Sequence, residues 1–206
     1  MTTATAVSDR LRQATSEAHE NAERSAFVEA LMTGELDVDA YGRLAAQLYY
    51  VYQALEQAGD CLRDDPIAGV VHDEKLRRLP SLASDLVALG VDHAAVEPLP
   101  ATVAYGDAIT ASVEVPVHYV AHHYTRYLGD LSGGQVVAHR LREHYAVGDD
   151  ALSFYRFAGI DKLKRYKDAY RDRLDGLSLD EADMERLTTE AVRAFEFNSA
   201  LFAELR

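Results

Sequence analysis

The chain has 206 residues, of which 48% are hydrophobic and 27% are charged, and its formal net charge is −13. This composition is typical of a globular protein with one domain, residues 1–206. The acidic balance disfavours nucleic acid, because the average surface would repel phosphates. The single Cys61 excludes an internal disulfide and a four-cysteine metal site. The sequence has no secretion signal and no apolar run of the roughly 18–20 residues that would anchor it in a membrane, so we expect a cytoplasmic protein.

Helical periodicity dominates the chain, and no segment alternates as a strand does. We predict an all-α fold of about eight helices. The expected ranges are near 8–23, 25–34, 37–63, 74–89, 101–112, 115–145, 160–175 and 178–206, with a further short helix after the turn at 147–150. Asp37 or Asp39 should cap the third helix, and Asp149 or Asp150 the short one.

The run RYLGDLSGGQ, residues 126–135, places three glycines in an otherwise helical stretch. Each costs roughly 1 kcal/mol relative to alanine inside a helix. Gly129 and Gly133 lie at i and i+4, so both bare positions share one face, which favours a flat or bulky ligand pressed against the backbone. A loop between two helices or a close helix crossing would also explain them. Asp130, between them, either reaches solvent or faces a pocket.

His19 is the best candidate metal ligand among the eight histidines. It lies beside the apolar stripe of the first helix, and Glu23, four residues on, can accept a hydrogen bond from the ring. An ordinary surface His–Glu pair is the alternative interpretation. None of the eight follows a glutamate by three residues, which excludes a di-iron carboxylate bundle. His118 and His122 are too few for a metal site and are expected to be half-exposed.

The segment from Arg156 to Arg173 carries seven basic residues against three acidic ones, in an otherwise acidic chain. This bias favours an anionic small ligand, with a salt-bridged, solvated helix face as the alternative. Several polar residues fall on apolar stripes, which predicts either a hydrogen-bonded network or locally satisfied core positions. These include Tyr52, Tyr124 and Asn198.

Together these segments resemble the heme oxygenases, in family order over nearly the whole chain. The strings that carry the resemblance are ATSEAHENAE (14–23), QLYYVYQALE (47–56), AHHYTRYLGDLSGGQ (121–135) and FNSALFAEL (197–205). The chain is similar to bacterial members that lack a C-terminal membrane anchor. The resemblance implies heme sandwiched between a proximal and a distal helix, and its cleavage by dioxygen and reductant to biliverdin, carbon monoxide and ferrous iron.

The resemblance also implies roles for individual residues. His19 would be the proximal ligand of the heme b iron, with Glu23 as its hydrogen-bond partner. Gly129 and Gly133 would lie against the distal face, where Asp130 would organise water. The residues that would support this water network are Tyr52, Tyr124, Arg126 and Asn198. Those that would anchor the heme propionates are Arg12, Lys167 and Arg171, with Tyr124 also in reach.

One departure from the family concerns heme orientation. Members often have basic residues seven and three positions before the proximal histidine, whereas this chain has Arg12 and Ser16. One anchor is therefore kept and one is lost, which bears on which meso carbon is oxidised. By analogy we expect the α isomer of biliverdin.

The sequence carries no site of its own for an electron-donating dinucleotide. GDLSGG does not fit a dinucleotide-binding turn after a strand, so electrons should come from a ferredoxin or an NAD(P)H-dependent reductase. A heme-binding or heme-transfer protein without turnover, and a cofactor-free helical interaction domain, are the alternatives. Iron acquisition and routine heme turnover would use the same residues.

Overall fold

The protein is described from a computed structural model that covers residues 5–205. Within that range there is no strand, which confirms the all-α prediction. The nine α-helices of this range are α1 (Val7–Glu23), α2 (Ala26–Thr33), α3 (Val38–Cys61), α4 (Leu79–Ala88), α5 (Pro100–Ala111), α6 (Pro116–His123), α7 (Gly129–Tyr145), α8 (Leu163–Asp175) and α9 (Glu181–Glu204). A π-helical turn, Tyr124–Leu128, joins α6 to α7 in one continuous rod, and counting that rod once gives the eight helices predicted.

Local chemistry accounts for several helix ends. Gly34 adopts a left-handed conformation, with φ of 80°, and ends α2 as predicted. Asp37 caps α3, since its carboxylate accepts from the backbone N–H of Ala40 at 2.8 Å. Asp180 caps α9 in the same way.

Three predicted elements differ from the structure. The helix expected at 74–89 is divided into a 3-10 turn, Glu74–Leu76, and α4, because Pro80 is tolerated only in a first helical turn. The basic helix begins at Leu163 rather than near 160. The short helix expected after residues 147–150 is replaced by two 3-10 turns, Asp149–Ala151 and Ser153–Tyr155, and neither Asp149 nor Asp150 caps them. The carboxylate of Asp149 instead accepts from Nε of Arg142 at 2.8 Å.

The core is built around α3, which packs against α4 and α5, while α9 packs against α1, α5 and α6. Large aromatic side chains fill much of it, and Tyr41, Tyr52, Tyr105 and Tyr170 are fully buried. His122 is also fully buried, and its Nε2 lies 3.0 Å from Oε1 of Glu190. The expectation that His122 is half-exposed is therefore wrong, since the ring joins α6 to α9.

None of the helices between residues 5 and 205 combines the length and the hydropathy that crossing a membrane requires.

Candidate active site

An open cleft lies between α1, α7 and α9 and has two lobes. The lobes share the lining residues His19, Thr125, Gly129 and Phe195, and their cavity volumes are about 200 and 330 Å³. The apolar lobe is lined mainly by Val28, Leu31, Met32, Leu44, Leu48, Val137, Phe154 and Phe202. The polar lobe is lined by charged and hydroxyl groups that include Arg12, Ser16, Tyr124, Ser132 and Arg171. The cleft therefore suits a ligand that is apolar at one end and charged at the other.

Bare backbone faces this cleft at two of the glycines. A Cβ built on Gly129 or Gly133 would meet nothing within 4 Å beyond its own helix backbone and chain neighbours. A Cβ on Gly134 would instead lie 3.0 Å from Cδ1 of Tyr155, so packing against this ring accounts for a glycine here. Because the helix is continuous here and nothing crosses it, a loop or a close crossing does not explain Gly129 and Gly133. Both residues leave room for a ligand.

A hydrogen-bonded network lies beside these glycines and joins three helices and the π turn. The hydroxyl of Tyr52 on α3 donates to Oδ2 of Asp130 on α7. Arg126 donates from Nε to the Tyr52 hydroxyl at 3.3 Å, and its Nη2 lies 3.5 Å from Oδ1 of Asp130. Its Nη1 donates to Oδ1 of Asn198 on α9 at 2.7 Å. The network therefore combines four of the polar residues that the sequence singled out.

The electrostatics of the network follow from its burial. Burial raises the pKa of Asp130, although the Arg126 guanidinium and the Tyr52 hydroxyl act in the opposite direction. Burial lowers the pKa of Arg126, but Tyr52 and Asp130 more than offset it, so that the net pKa is raised. Arg126 is therefore a permanent cation beside Asp130. Since Asp130, Arg126 and Asn198 all line the apolar lobe, the network faces the cleft.

His19 is the imidazole of α1 that borders both lobes. Its side chain is 48% exposed, and its Nδ1 lies 3.6 Å from Oε2 of Glu23, as the spacing predicted. The ring also packs edge-on against Phe195 of α9, with centroids 5.5 Å apart. Glu23 and Phe195 thus hold the ring from two sides while much of it stays open to the cleft.

The predicted cations gather at the polar lobe. Arg12 and Arg171 line it, and each is paired with an acid of its own helix, at 3.3 Å to Asp9 and 3.1 Å to Asp168. Such exposed pairs contribute less than about 1 kcal/mol, so the guanidinium groups can exchange partners. Lys167 does not line the lobe itself. Its Nζ donates to Oγ of Ser132, which does line the lobe.

Two residues that border both lobes, Phe195 and Thr125, carry no signal in the sequence. In the sequence, nothing separates Phe195 from the other apolar residues of α9, and nothing marks Thr125. Thr125 lies in the π turn, which brings it to both lobes, and its Oγ1 is buried without a hydrogen-bond partner. π turns are common at functional sites but have no local sequence signature.

Comparison with known proteins identifies the family. The heme oxygenase family model matches residues 5–204. Heme oxygenase 1 of Synechocystis sp. is 35% identical over 202 residues, covering 97% of this chain and 84% of that protein. Its crystal structure in complex with heme superposes with a TM-score of 0.94, covering 98% of this chain and 93% of the other. Heme oxygenase of Leptospira interrogans is 31% identical, with a TM-score of 0.91, covering 97% and 100% of the two chains. The chain belongs to the heme oxygenase family.

Proposed function

We propose that this chain performs the reaction of its family, the degradation of heme by dioxygen and reductant to biliverdin, carbon monoxide and ferrous iron, in the cleft between α1 and α7. The protein is an oxidoreductase, and heme is both its substrate and its cofactor. One observation carries the assignment of the site: His19 on α1 and the bare backbone of Gly129 and Gly133 on α7 border the same cleft.

The residues of the cleft fit heme. A porphyrin is flat and apolar except for its propionates, and the cleft has an apolar lobe continuous with one that carries arginines. Added Cβ atoms at Gly129 and Gly133 would project into the open space that the macrocycle would fill. When bound, heme supplies the iron that activates dioxygen and the ring that is oxidised.

His19 would hold the iron. A histidine ligand on the iron is usual in oxygen-binding heme proteins. Glu23, 3.6 Å from Nδ1, would accept the proton of that nitrogen, leaving Nε2 as the free donor atom. The edge of Phe195 restricts rotation of the ring.

The distal residues would direct the reaction. The Gly129 and Gly133 backbone would limit the space beside the macrocycle and so position the reactants, an effect that favours oxidation at one meso carbon over the others. The carboxylate of Asp130, held by Tyr52 and Arg126, would organise water in the cleft and pass a proton through it. Asn198 would hold Arg126 in place.

The polar lobe would orient the heme in its plane. Arg12, Lys167, Arg171 and Tyr124 would bind the propionates, with the guanidinium groups leaving their weak pairs to do so. By analogy with the family, the resulting product is the α isomer.

Electrons would come from a separate ferredoxin or NAD(P)H-dependent reductase. The described residues 5–205 form helices and turns but no βαβ unit that could hold a dinucleotide.

A hemin titration followed by turnover tests the proposal. We expect one equivalent of hemin to give a saturable Soret shift, and aerobic addition of ascorbate to remove that band with formation of biliverdin, identified by chromatography. A shift without biliverdin would indicate a heme carrier. The absence of a stoichiometric shift would exclude heme binding.

A further inference from the structure

A short segment between α7 and α8, residues 152–157, packs behind the cleft; we call it the strap. Its 3-10 turn, Ser153–Tyr155, is followed by buried Phe157. Phe154 and Tyr155 line the apolar lobe. The strap therefore forms part of the cleft wall although it belongs to no α-helix.

Two buried charged side chains hold the strap from the side of α4. Asp85, 0% exposed, accepts from the backbone N–H groups of Ser153 and Phe154 at 2.9 and 2.8 Å, and from Oγ of Ser153 at 2.5 Å. Arg78, 5% exposed, donates from Nη1 to the carbonyl oxygens of Phe154 and Arg156 at 3.0 and 2.9 Å. The N–H and the C=O of Phe154 are therefore both held by ionic groups.

Burying an arginine and an aspartate is costly unless every polar atom is satisfied. Backbone groups of the strap satisfy Asp85 and Nη1 of Arg78, while Nε and Nη2 of Arg78 donate to the carbonyl oxygens of Leu76 and Lys75 at 2.9 and 3.3 Å. The Arg78 guanidinium also stacks on Phe157, 4.0 Å from the ring centroid. On the opposite side, Gln135 of α7 donates to the carbonyl of Tyr155 at 2.7 Å. The strap is thus fixed between α4 and α7.

The strap contacts the network of the proposed active site through one aromatic ring. Phe154 packs edge-on against Tyr52, with centroids 5.3 Å apart and ring planes at 75°. The hydroxyl of Tyr52 donates to Asp130. A continuous path of contacts therefore runs from Asp85 and Arg78 through Phe154 and Tyr52 to Asp130.

We propose that Arg78 and Asp85 are positioning residues for heme degradation: by clamping the backbone of Phe154 they fix the Tyr52 ring and, through it, the carboxylate of Asp130. The inference rests on the proposed function of Asp130. Neither clamp residue touches the cleft contents; each acts through the strap. Releasing the clamp lets Phe154 withdraw, and Tyr52 then keeps only one of the two aromatic rings that pack edge-on against it, that of Tyr127.

The test compares Asp85→Asn with Gln47→Leu. An asparagine has one acceptor oxygen, so it cannot keep both the bond from the Ser153 N–H and the bond from the Phe154 N–H, which go to different oxygens of Asp85. Gln47 is a matched control, because it is 2% exposed and holds a different loop by its backbone, accepting from the N–H of Leu99 at 2.9 Å. That loop does not border the cleft.

Four properties are measured for each variant. They are amide exchange in the heme-free protein, the melting temperature, the pH midpoint at which the absorption spectrum of the hemin complex changes, and the rate of biliverdin formation. For Asp85→Asn we expect exchange at Ser153 and Phe154 to be at least about tenfold faster, since bonds to charged groups are worth that factor or more. The spectral midpoint should shift, and biliverdin formation should fall about tenfold while hemin affinity stays within about twofold. Gln47→Leu should lower the melting temperature without these changes.

Two further variants keep the proposal falsifiable. If Asp85→Asn does not fold, Phe154→Leu serves in its place, because it removes the ring contact with Tyr52 while the bonds from Asp85 and Arg78 to the backbone remain. It should shift the spectral midpoint and lower the rate in the same way, with normal amide exchange at Ser153 and residue 154. In a double-mutant cycle, Asp85→Asn and Tyr52→Phe should be strongly non-additive in rate. Additive effects of the two substitutions on the rate would overturn the proposal. So would a loss of rate in Asp85→Asn equal to that in Gln47→Leu at the same melting temperature. Failure of the wild type to form biliverdin would instead overturn the proposed function, and the exchange result would still report on the clamp.

Discussion

The carboxylate of Asp130 is held by the hydroxyl of Tyr52, which lies 78 residues earlier in the chain and on a different helix. Tyr52 is fully buried and Arg126 donates to the same hydroxyl. A buried carboxylate is therefore kept beside a cleft by a donor and a cation, an arrangement suited to ordering water and moving a proton.

Replacing Asp130 by alanine should separate heme binding from heme degradation. The variant should retain the Soret shift, because binding depends on His19 and the cleft walls. Biliverdin formation should fall by roughly 100-fold or more, the scale of a lost proton-transfer group, with diversion to peroxidase-like oxidation of added phenols. Hemin titration and product chromatography measure the two effects. A normal biliverdin yield would remove Asp130 from the mechanism.

Replacing His19 by alanine should remove the proximal ligand. We expect a changed hemin spectrum and loss of turnover with reductant, both partly restored by added imidazole. His139→Ala is the control, because its side chain is 71% exposed on α7 and lies outside the cleft. An unaltered spectrum in the His19 variant would mean that another histidine binds the iron.

Replacing Gly129 by alanine should stabilise the heme-free protein and weaken heme binding. The new Cβ meets nothing within 4 Å, so alanine contributes its helix propensity of about 1 kcal/mol, or roughly 2–4 °C in melting temperature. The same methyl group would collide with a bound macrocycle. Gly106→Ala in α5, where the nearest atom is 3.9 Å away, should stabilise equally and leave hemin affinity unchanged. Unaltered affinity in both variants would place the heme elsewhere.

Neutralising Lys167 and Arg171 together should change the biliverdin isomer mixture. Without these cations the propionates lose part of their anchoring, so the heme can rotate in its plane. Arg165→Gln is the control, because Arg165 lies on the same helix and lines a different groove. Chromatography of the products reports the result, and an identical mixture in both variants would assign heme orientation to other groups.

The raised pKa of Asp130 predicts a sign for the pH dependence of stability. Its folded-state pKa lies above the ordinary value of 3.8, so the folded protein binds more protons in the interval between the two values. The contribution of Asp130 to stability is therefore fully present below pH 3.8 and declines as pH rises through the folded-state pKa. Denaturant unfolding of the wild type and of Asp130→Asn should be measured across this interval. The unfolding free energy of the wild type minus that of the variant should fall as pH rises. A difference that rises with pH would mean that Arg126 and Tyr52 lower the pKa of Asp130 by more than burial raises it.

The sequence alone determined the helical fold, several helix ends and the chemistry-bearing residues. Helical periodicity and caps such as Asp37 and Asp180 depend on residues a few positions apart in the chain. A short stretch of sequence is therefore enough to predict them. The spacing of Gly129 and Gly133, and of His19 and Glu23, likewise placed each pair on one helix face.

Only the tertiary structure decided which distant residues meet. The π turn, the burial of His122 against Glu190 and the convergence of Tyr52, Arg126 and Asn198 depend on packing between helices far apart in the chain. The clamp on Phe154 by Arg78 and Asp85 leaves no local pattern either. Side-chain periodicity reports which face of a helix is buried, whereas the partner on that face is fixed by how the whole core fills space.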